Sequence, residues 1–320
     1  MEGAFAARTF GRTSLQVTPI CIGTAPLGDM PEIFGVDAPE ERALATLRAA
    51  FASPLNFIDT SNNYGDGRSE QRIGRVLREI GGLGTHRVLA TKADRDMTSG
   101  DFSGDRMKRS IEESLERLGL DRLQFAYIHD PEHTTFEHVM SRGGALDAMR
   151  DLQRQGIIGD VGISGGPIDM LIRYVETGAF AAVETHNRYT LLNRSALPLL
   201  DAAAARGVAV VNAAPYGSGI LAKGPDAFAR YAYQDASALI VDRTRQLDSI
   251  CRTHGVPLAA AALQFSMRDP RVTSTVVGMT RPERVEQTLA LAEFPIPEVL
   301  WHALDAVGFG IDDPEALRWT

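Results

Sequence analysis

Only two cysteines, Cys21 and Cys251, occur in 320 residues. That excludes a disulfide-stapled scaffold, and both read as small buried apolar side chains that stay reduced. No apolar run approaches the ~20 residues of a membrane-spanning helix; the most apolar window, Ala202 to Tyr216, is broken by Arg206, Gly207 and Asn212. The start of the chain lacks the apolar segment of a secretory signal, so a soluble, cytoplasmic protein with no membrane partner is expected. A basic excess is missing too. Lys and Arg number 33 against 41 Asp and Glu, a formal charge of −8, which weighs against a nucleic-acid partner. Low-complexity linkers, charge runs and composition shifts are also absent, and residues 1–320 read as a single domain. What is present is ordinary globular usage, 44% hydrophobic and 23% charged, enough to bury a sizeable core.

Short Val-, Ile-, Phe- and Leu-rich runs alternate with longer helical patterns, the signature of βαβ units. Eight strands are expected at Ile20–Ile22, Phe57–Ile58, Val88–Thr91, Phe125–Ile128, Ile158–Ile163, Ala182–Glu184, Val208–Val211 and Thr275–Val277. Helices should begin near Pro39, Ser69, Gly104, Gly144, Pro167, Ser195, Ala236 and Pro282, several of them at the Pro or Ser that helix starts favour. Eight such units close most naturally into a (β/α)8 TIM barrel. A short N-terminal β-hairpin around Gly11-Arg12-Thr13-Ser14 precedes it, and a C-terminal helix and tail follow.

Barrel enzymes carry their chemistry at the carboxyl ends of the strands, so the residues leaving each strand matter most. The second strand runs into Asp59 and on to Tyr64, the third into Lys92, and the fourth into His129. A phenol titrates near ~10, and a neighbouring ammonium lowers that value; Lys92 is placed to act so on Tyr64. An ammonium inside a packed barrel needs a counter-charge, which Asp59 supplies, and an imidazole beside the phenol can donate to a substrate oxygen. The four residues suit proton transfer at a carbonyl or alcohol oxygen. His129 and His133 imitate metal-ligand spacing, but the intervening Pro131 keeps them off one helical face, and no metal is expected.

These residues, with Gly23-Thr24, Asn56-Phe57-Ile58-Asp59-Thr60, Thr91-Lys92, Gly162-Ile163-Ser164, Asn187-Arg188-Tyr189, Pro215 through Leu221 and Gly278-Met279-Thr280-Arg281-Pro282-Glu283, resemble the aldo-keto reductase family along nearly the whole chain. The stretches from Thr185 to Leu192 and from Asn212 to Gly219 look most like its sugar dehydrogenase branch, which includes L-fucose, D-threo-aldose and L-galactose dehydrogenases and a pyridoxal dehydrogenase. The resemblance implies hydride exchange with NAD or NADP, Tyr64 as general acid/base tuned by Lys92 and Asp59, and His129 orienting the substrate oxygen. It implies cofactor contacts at Gly23, Thr24, Ser164, Asn187, Tyr216, Ser218, Gly219, Leu221, Gly278, Thr280, Arg281, Arg284 and Gln287.

This chain departs from the family pattern at the nicotinamide end. Gly165 stands where an Asn is common, the strand-six Gln is replaced by His186 or Asn187, and Ala213 takes an aromatic position. Gly278 replaces a lysine of strongly NADP-preferring relatives, which leans the cofactor towards NAD. Independently of any resemblance, Arg281 and Arg284 open the last helix, where positive charge is unfavourable unless an anion binds. Gly217-Ser218-Gly219 with Ala222 imitates a dinucleotide fingerprint, but Lys223-Gly224-Pro225 would end the helix it requires. Phe265-Ser266-Met267 reads as core, and Trp319 as packing or a pocket wall. The expected activity is oxidation of an aldose's anomeric hydroxyl to a lactone, by a monomer or homo-oligomer acting on a small molecule. The alternatives are a pyridoxal or general aldehyde substrate, a Schiff-base aldolase using Lys92, and a nucleotide-binding subunit without turnover.

Overall fold

A computed structural model describes residues 5–316. Eight parallel strands close into a barrel in chain order: β1 Ile20–Gly23, β2 Phe57–Asp59, β3 Val88–Ala93, β4 Leu123–His129, β5 Ile158–Ser164, β6 Ala182–His186, β7 Ala209–Ala213 and β8 Val272–Gly278, which pairs with both β7 and β1. The main helices are α1 Glu40–Ala52, α2 Arg68–Glu79, α3 Gly104–Leu118, α4 Ala145–Arg154, α5 Ile168–Glu176, α6 Leu197–Ala204, α7 Ala238–Thr253, α8 Leu258–Met267, α9 Glu283–Glu293 and α10 Glu298–Asp305. No described helix is long and apolar enough to cross a membrane.

The eight expected strands are all present and all run on past their expected ends, three of them by two residues. β3 continues to Ala93, β6 to His186 and β7 to Ala213, which puts Lys92 and His186 on regular backbone. One expectation is corrected. A single helix was anticipated between the last two strands, whereas α7 and α8 both form there; Gly255 at φ +66° and Pro257 break the run, since neither residue continues a helix well.

Two layers of apolar side chains follow from the alternation of strand residues. Outward-facing Ile20, Ile22, Ile58, Leu89, Ile128 and Val183 pack with helix residues such as Leu44, Leu47, Ile73 and Ile111. In α3 the buried positions Met107, Ile111, Ser114 and Leu118 repeat at helical spacing, and Ser103 caps its start by accepting from the Arg106 amide. Inward-facing Cys21, Phe57, Ala90, Phe125, Tyr127, Ala182 and Val211 fill the lumen. The N-terminal hairpin, Arg8–Thr9 against Gln16–Val17, plugs its amino end, where Phe10 lies edge-on to Phe57 and Phe125. Chemistry is therefore confined to the opposite, carboxyl end.

Candidate active site

The same period of two that fills the lumen delivers polar residues to its carboxyl end. Phe57 is followed on its face by Asp59, Ala90 by Lys92, Tyr127 by His129, and Ala182 by Glu184 and His186. In register, Asp59 lies opposite Gly23 and Ala90, and Ser164 opposite both His129 and Glu184. Tyr64 enters from the loop after β2. There Gly65, at φ +63°, packs so closely on Gly28 that a Cβ would overlap the Gly28 carbonyl oxygen, which fixes the turn carrying the phenol.

Lys92 is fully buried and organises the four expected catalytic residues. Its Nζ donates to Asp59 Oδ1 at 2.5 Å, to the Thr60 carbonyl at 3.0 Å and to Tyr64 Oη at 3.1 Å. The fourth member, His129, meets Tyr64 edge-on with ring centroids 6.1 Å apart. Sequence reasoning missed a second carboxylate, Glu184, whose Oε1 lies 3.5 Å from the same ammonium. Its signal was an acidic residue in phase with the inward face of β6. Burial works against a charged Lys92, but Asp59 and Glu184 outweigh it and hold the ammonium protonated well beyond its usual range. Burial and then Glu184 raise the Asp59 carboxyl, and the Lys92 ammonium pulls it back towards the charged form.

The expected lowering of the phenol is corrected. Burial pushes Tyr64 well above an ordinary phenol, with Asp59 and Glu184 adding to that, and Lys92 only partly offsets the rise. Removing the phenol from water disfavours its anion more than one shared cation favours it.

His129 also has a partner the sequence did not announce. Its Nδ1 pairs with Asp94 Oδ1 at 2.6 Å. Asp94 is itself held by the Ser61 hydroxyl and by the Asn63 amide at 3.0 Å. It lies two residues beyond Lys92, and so on the same face of the chain. Burial disfavours the imidazolium, but Asp130 and Asp94 hold it up to about 9, so His129 carries a donor on each nitrogen at neutral pH.

A cavity of about 470 Å³ opens above these groups. Asp59, Tyr64 and His129 line it, together with Gly23, Ser164, Tyr216, Ser218, Gly219, Gly278, Thr280, Arg281 and Arg284 among the expected cofactor residues. Four others do not line it. Thr24 is buried and donates to the Asp59 carbonyl, Leu221 is core, and Gln287 points out of α9 into solvent. Asn187 is turned away, its Nδ2 donating to Glu315 at 3.0 Å. His186 lines the cavity instead, its Nε2 3.0 Å from Glu315. Glu315 lies over 120 positions along the chain from His186, too far for any local signal. Burial would raise its carboxyl, but His186 and Arg188 bring it down to about 2. The room left by Gly165 is taken by Glu132, whose Oε2 lies 2.6 Å from where a Cβ would project. Asn62, in the loop after β2, turns away and donates to the Ser110 carbonyl and to Glu113. Trp319 lies outside the described residues.

The far end of the cavity fits the phosphates of a nicotinamide nucleotide. Lys223, Arg281 and Arg284 line it together, and burial followed by the two arginines lowers the Lys223 ammonium. Crowded cations of this kind are relieved by an anion. The segment Gly217–Gly219, with Ser218 at φ +64°, runs into the four-residue helix Ile220–Lys223 and stops at Gly224, as a loop and not a dinucleotide-fold helix. The lining also includes an apolar and aromatic set, Met30, Ile33, Phe34, Val36 and Tyr233, and the polar Asn63, Asp130 and His186.

The model of the Aldo/keto reductase family matches residues 19–308. Over 94% of this chain and 97% of the relative, the sequence is 33% identical to pyridoxal 4-dehydrogenase of Microbacterium luteolum. It is 31% identical to L-galactose dehydrogenase of Arabidopsis thaliana, over 88% and 86% of the two chains. With D-threo-aldose 1-dehydrogenase of a Pseudomonas species it shares 33% identity over 91% and 94%. A solved aldo-keto reductase of Bacillus halodurans in its holo form superimposes with a TM-score of 0.77 at 21% identity, covering 98% of this chain and 99% of that one.

Proposed function

The chain belongs to the aldo/keto reductase family and is an NAD(P)-dependent oxidoreductase; from that premise we propose that it oxidises the anomeric hydroxyl of an aldose to a lactone. The observation that carries the reading is Tyr64 Oη held 3.1 Å from a buried ammonium, beside His129, in one cavity with Asn63, Asp130 and His186. A bound nicotinamide supplies the hydride acceptor. The chain's own residues do the rest. Tyr64 takes the hydroxyl proton, Lys92, kept charged by Asp59 and Glu184, stabilises the phenolate that precedes this, and the His129 imidazolium orients the reacting oxygen. Lys223, Arg281 and Arg284 would grip the nucleotide's phosphates, and Gly278 in place of a long cation leans the site towards NAD. A Schiff-base role for Lys92 is disfavoured because that chemistry needs a neutral amine, whereas two carboxylates hold this one charged.

A second reading has its own support. The wall of Met30, Ile33, Phe34, Val36 and Tyr233 suits a flat aromatic aldehyde, and one relative is named for pyridoxal. The test is a panel of aldoses, pyridoxal and aromatic aldehydes assayed with NAD⁺ and NADP⁺ separately, the products being checked for lactone. An aldose with the highest kcat/KM and a lactone product supports the first reading. Pyridoxal outrunning every aldose overturns it and leaves the proton chemistry standing.

A further inference from the structure

Asp130 stands at the cavity rim directly after the catalytic histidine, on backbone that an L-residue enters only at a cost, φ 47° and ψ 53°. Non-glycine residues held in this left-handed region concentrate at functional sites. The conformation is not maintained for a helix cap, because the Asp130 side chain makes no capping hydrogen bond to the turn Pro131–His133 that it precedes. The backbone on either side is fixed: the Asp130 amide donates to the Ser164 carbonyl at 2.8 Å, and the His133 amide donates to the Asp130 carbonyl at 3.1 Å.

What the side chain does reach is His129. Asp130 Oδ1 lies 3.3 Å from His129 Nε2, with the Asp130 side chain 36% exposed. On the far side of the same ring, Asp94 holds Nδ1 at 2.6 Å with a side chain only 5% exposed. The two carboxylates are thus unequal. A charge-assisted N–H···O bond is typically about 2.7–2.9 Å, so Asp94 is bonded at full strength, whereas Asp130 is an ion-pair neighbour of Nε2 and not its hydrogen-bond partner. A carboxylate offers about four lone-pair sites, and Asp130 lines the cavity. Nε2 is the ring nitrogen left for the reacting oxygen once Asp94 has taken Nδ1. Asp130 therefore holds a negative charge beside the edge of the imidazolium that must face that oxygen, and draws on it until something else satisfies the carboxylate.

We propose that Asp130 determines specificity by accepting a hydrogen bond from a hydroxyl on the carbon next to the reacting carbon. This releases His129 Nε2 to the reacting oxygen, so that productive substrates are α-hydroxy carbonyl compounds and their cyclic hemiacetals. The two oxygens of such a substrate are vicinal, matching an imidazolium donor and a carboxylate acceptor that are themselves neighbours 3.3 Å apart. A substrate without the α-hydroxyl leaves Asp130 buried against the ligand with nothing to accept from, and still drawing on the imidazolium edge that the reaction needs. The inference deepens the aldose reading, in which the hydroxyl is the one on C2, but it is worded for the α-hydroxy group and can be tested apart from that reading.

The experiment measures two substrate ratios in the full-length enzyme and in Asp130→Asn. Asn tolerates left-handed backbone, so the variant is suited to fold; its dissociation constant for NAD⁺ or NADP⁺, by fluorescence titration, checks that it has. The first ratio is kcat/KM for an oxidised aldose over its 2-deoxy analogue, and the second is kcat/KM for lactaldehyde over propanal in the reducing direction. A hydrogen bond to a charged acceptor corresponds to about 10- to 100-fold. Both ratios should therefore be at least about tenfold in the wild type and collapse to within about threefold in Asp130→Asn, which retains the shape but not the charge. If no aldose is oxidised yet the lactaldehyde ratio is large and collapses, the aldose reading fails and the role of Asp130 stands. Wild-type ratios within threefold of unity overturn the inference, and so do large ratios that survive the substitution.

Discussion

Replacing Glu184 by Gln removes one charge from the buried cluster while keeping its shape, and the effect should appear at Tyr64, a residue Glu184 does not touch. Contacts of 3.5 Å and 3.1 Å through Lys92 Nζ place the Glu184 carboxylate within about 7 Å of the phenol oxygen. At an effective dielectric of about 20, a unit charge at that distance raises the cost of a phenolate by about 2 kcal/mol, or between about one and two pH units. Burial is the larger cause of the elevated phenol and remains in the variant, as does the contribution of Asp59. Oxidation needs Tyr64 to shed its proton before it can take one from the substrate. Wild-type kcat/KM for oxidation should therefore rise with pH and still be climbing at about pH 10, and in Glu184→Gln the same climb should be displaced down by about one unit. The assay is the pH profile of both enzymes with the same substrate, with nucleotide affinity as the control. A profile displaced by less than about 0.3 unit, or displaced upward, would refute the electrostatic account of the site.

Three lysine and arginine side chains at the far end of the cavity give a second expectation. Arg284→Ala should weaken nucleotide binding about tenfold or more, because a charge-assisted hydrogen bond contributes roughly 1.5–3 kcal/mol; unchanged affinity by fluorescence titration would make Arg284 an ordinary surface residue. A third concerns packing beneath the site. A Cβ at Gly162 would lie 2.5 Å from the Tyr127 ring and 2.8 Å from that of Phe125, both fully buried, so Gly162→Ala should cost about 1–3 kcal/mol, read as a lowered urea midpoint. A midpoint at or above that of the wild type would mean the lumen can yield.

Much of this architecture is legible in the sequence because it is local. Each strand is a short apolar run whose neighbours break it, and the residue types leaving β2, β3 and β4 already name the group that we propose is catalytic. The strand ends are harder to read, since Lys92 and His186 are polar and look like loop, although the ladder continues through them. Glu184 and Asp94 could have been found by following the inward phase of β6 and β3. Glu315 could not, because its tie to His186 and Arg188 depends on how the C-terminal segment returns to the barrel. The sign of the Tyr64 shift was equally out of reach: the sequence shows the cation but not the depth of burial opposing it.

The account turns on Tyr64 as the group that exchanges the substrate proton, and Tyr64→Phe tests that with one oxygen atom removed from the cavity. General acid/base catalysis is typically worth ~10²- to 10⁴-fold, so kcat/KM in both directions should fall by at least about a hundredfold while the nucleotide dissociation constant stays within about twofold of wild type. Activity within about threefold of wild type would contradict the account.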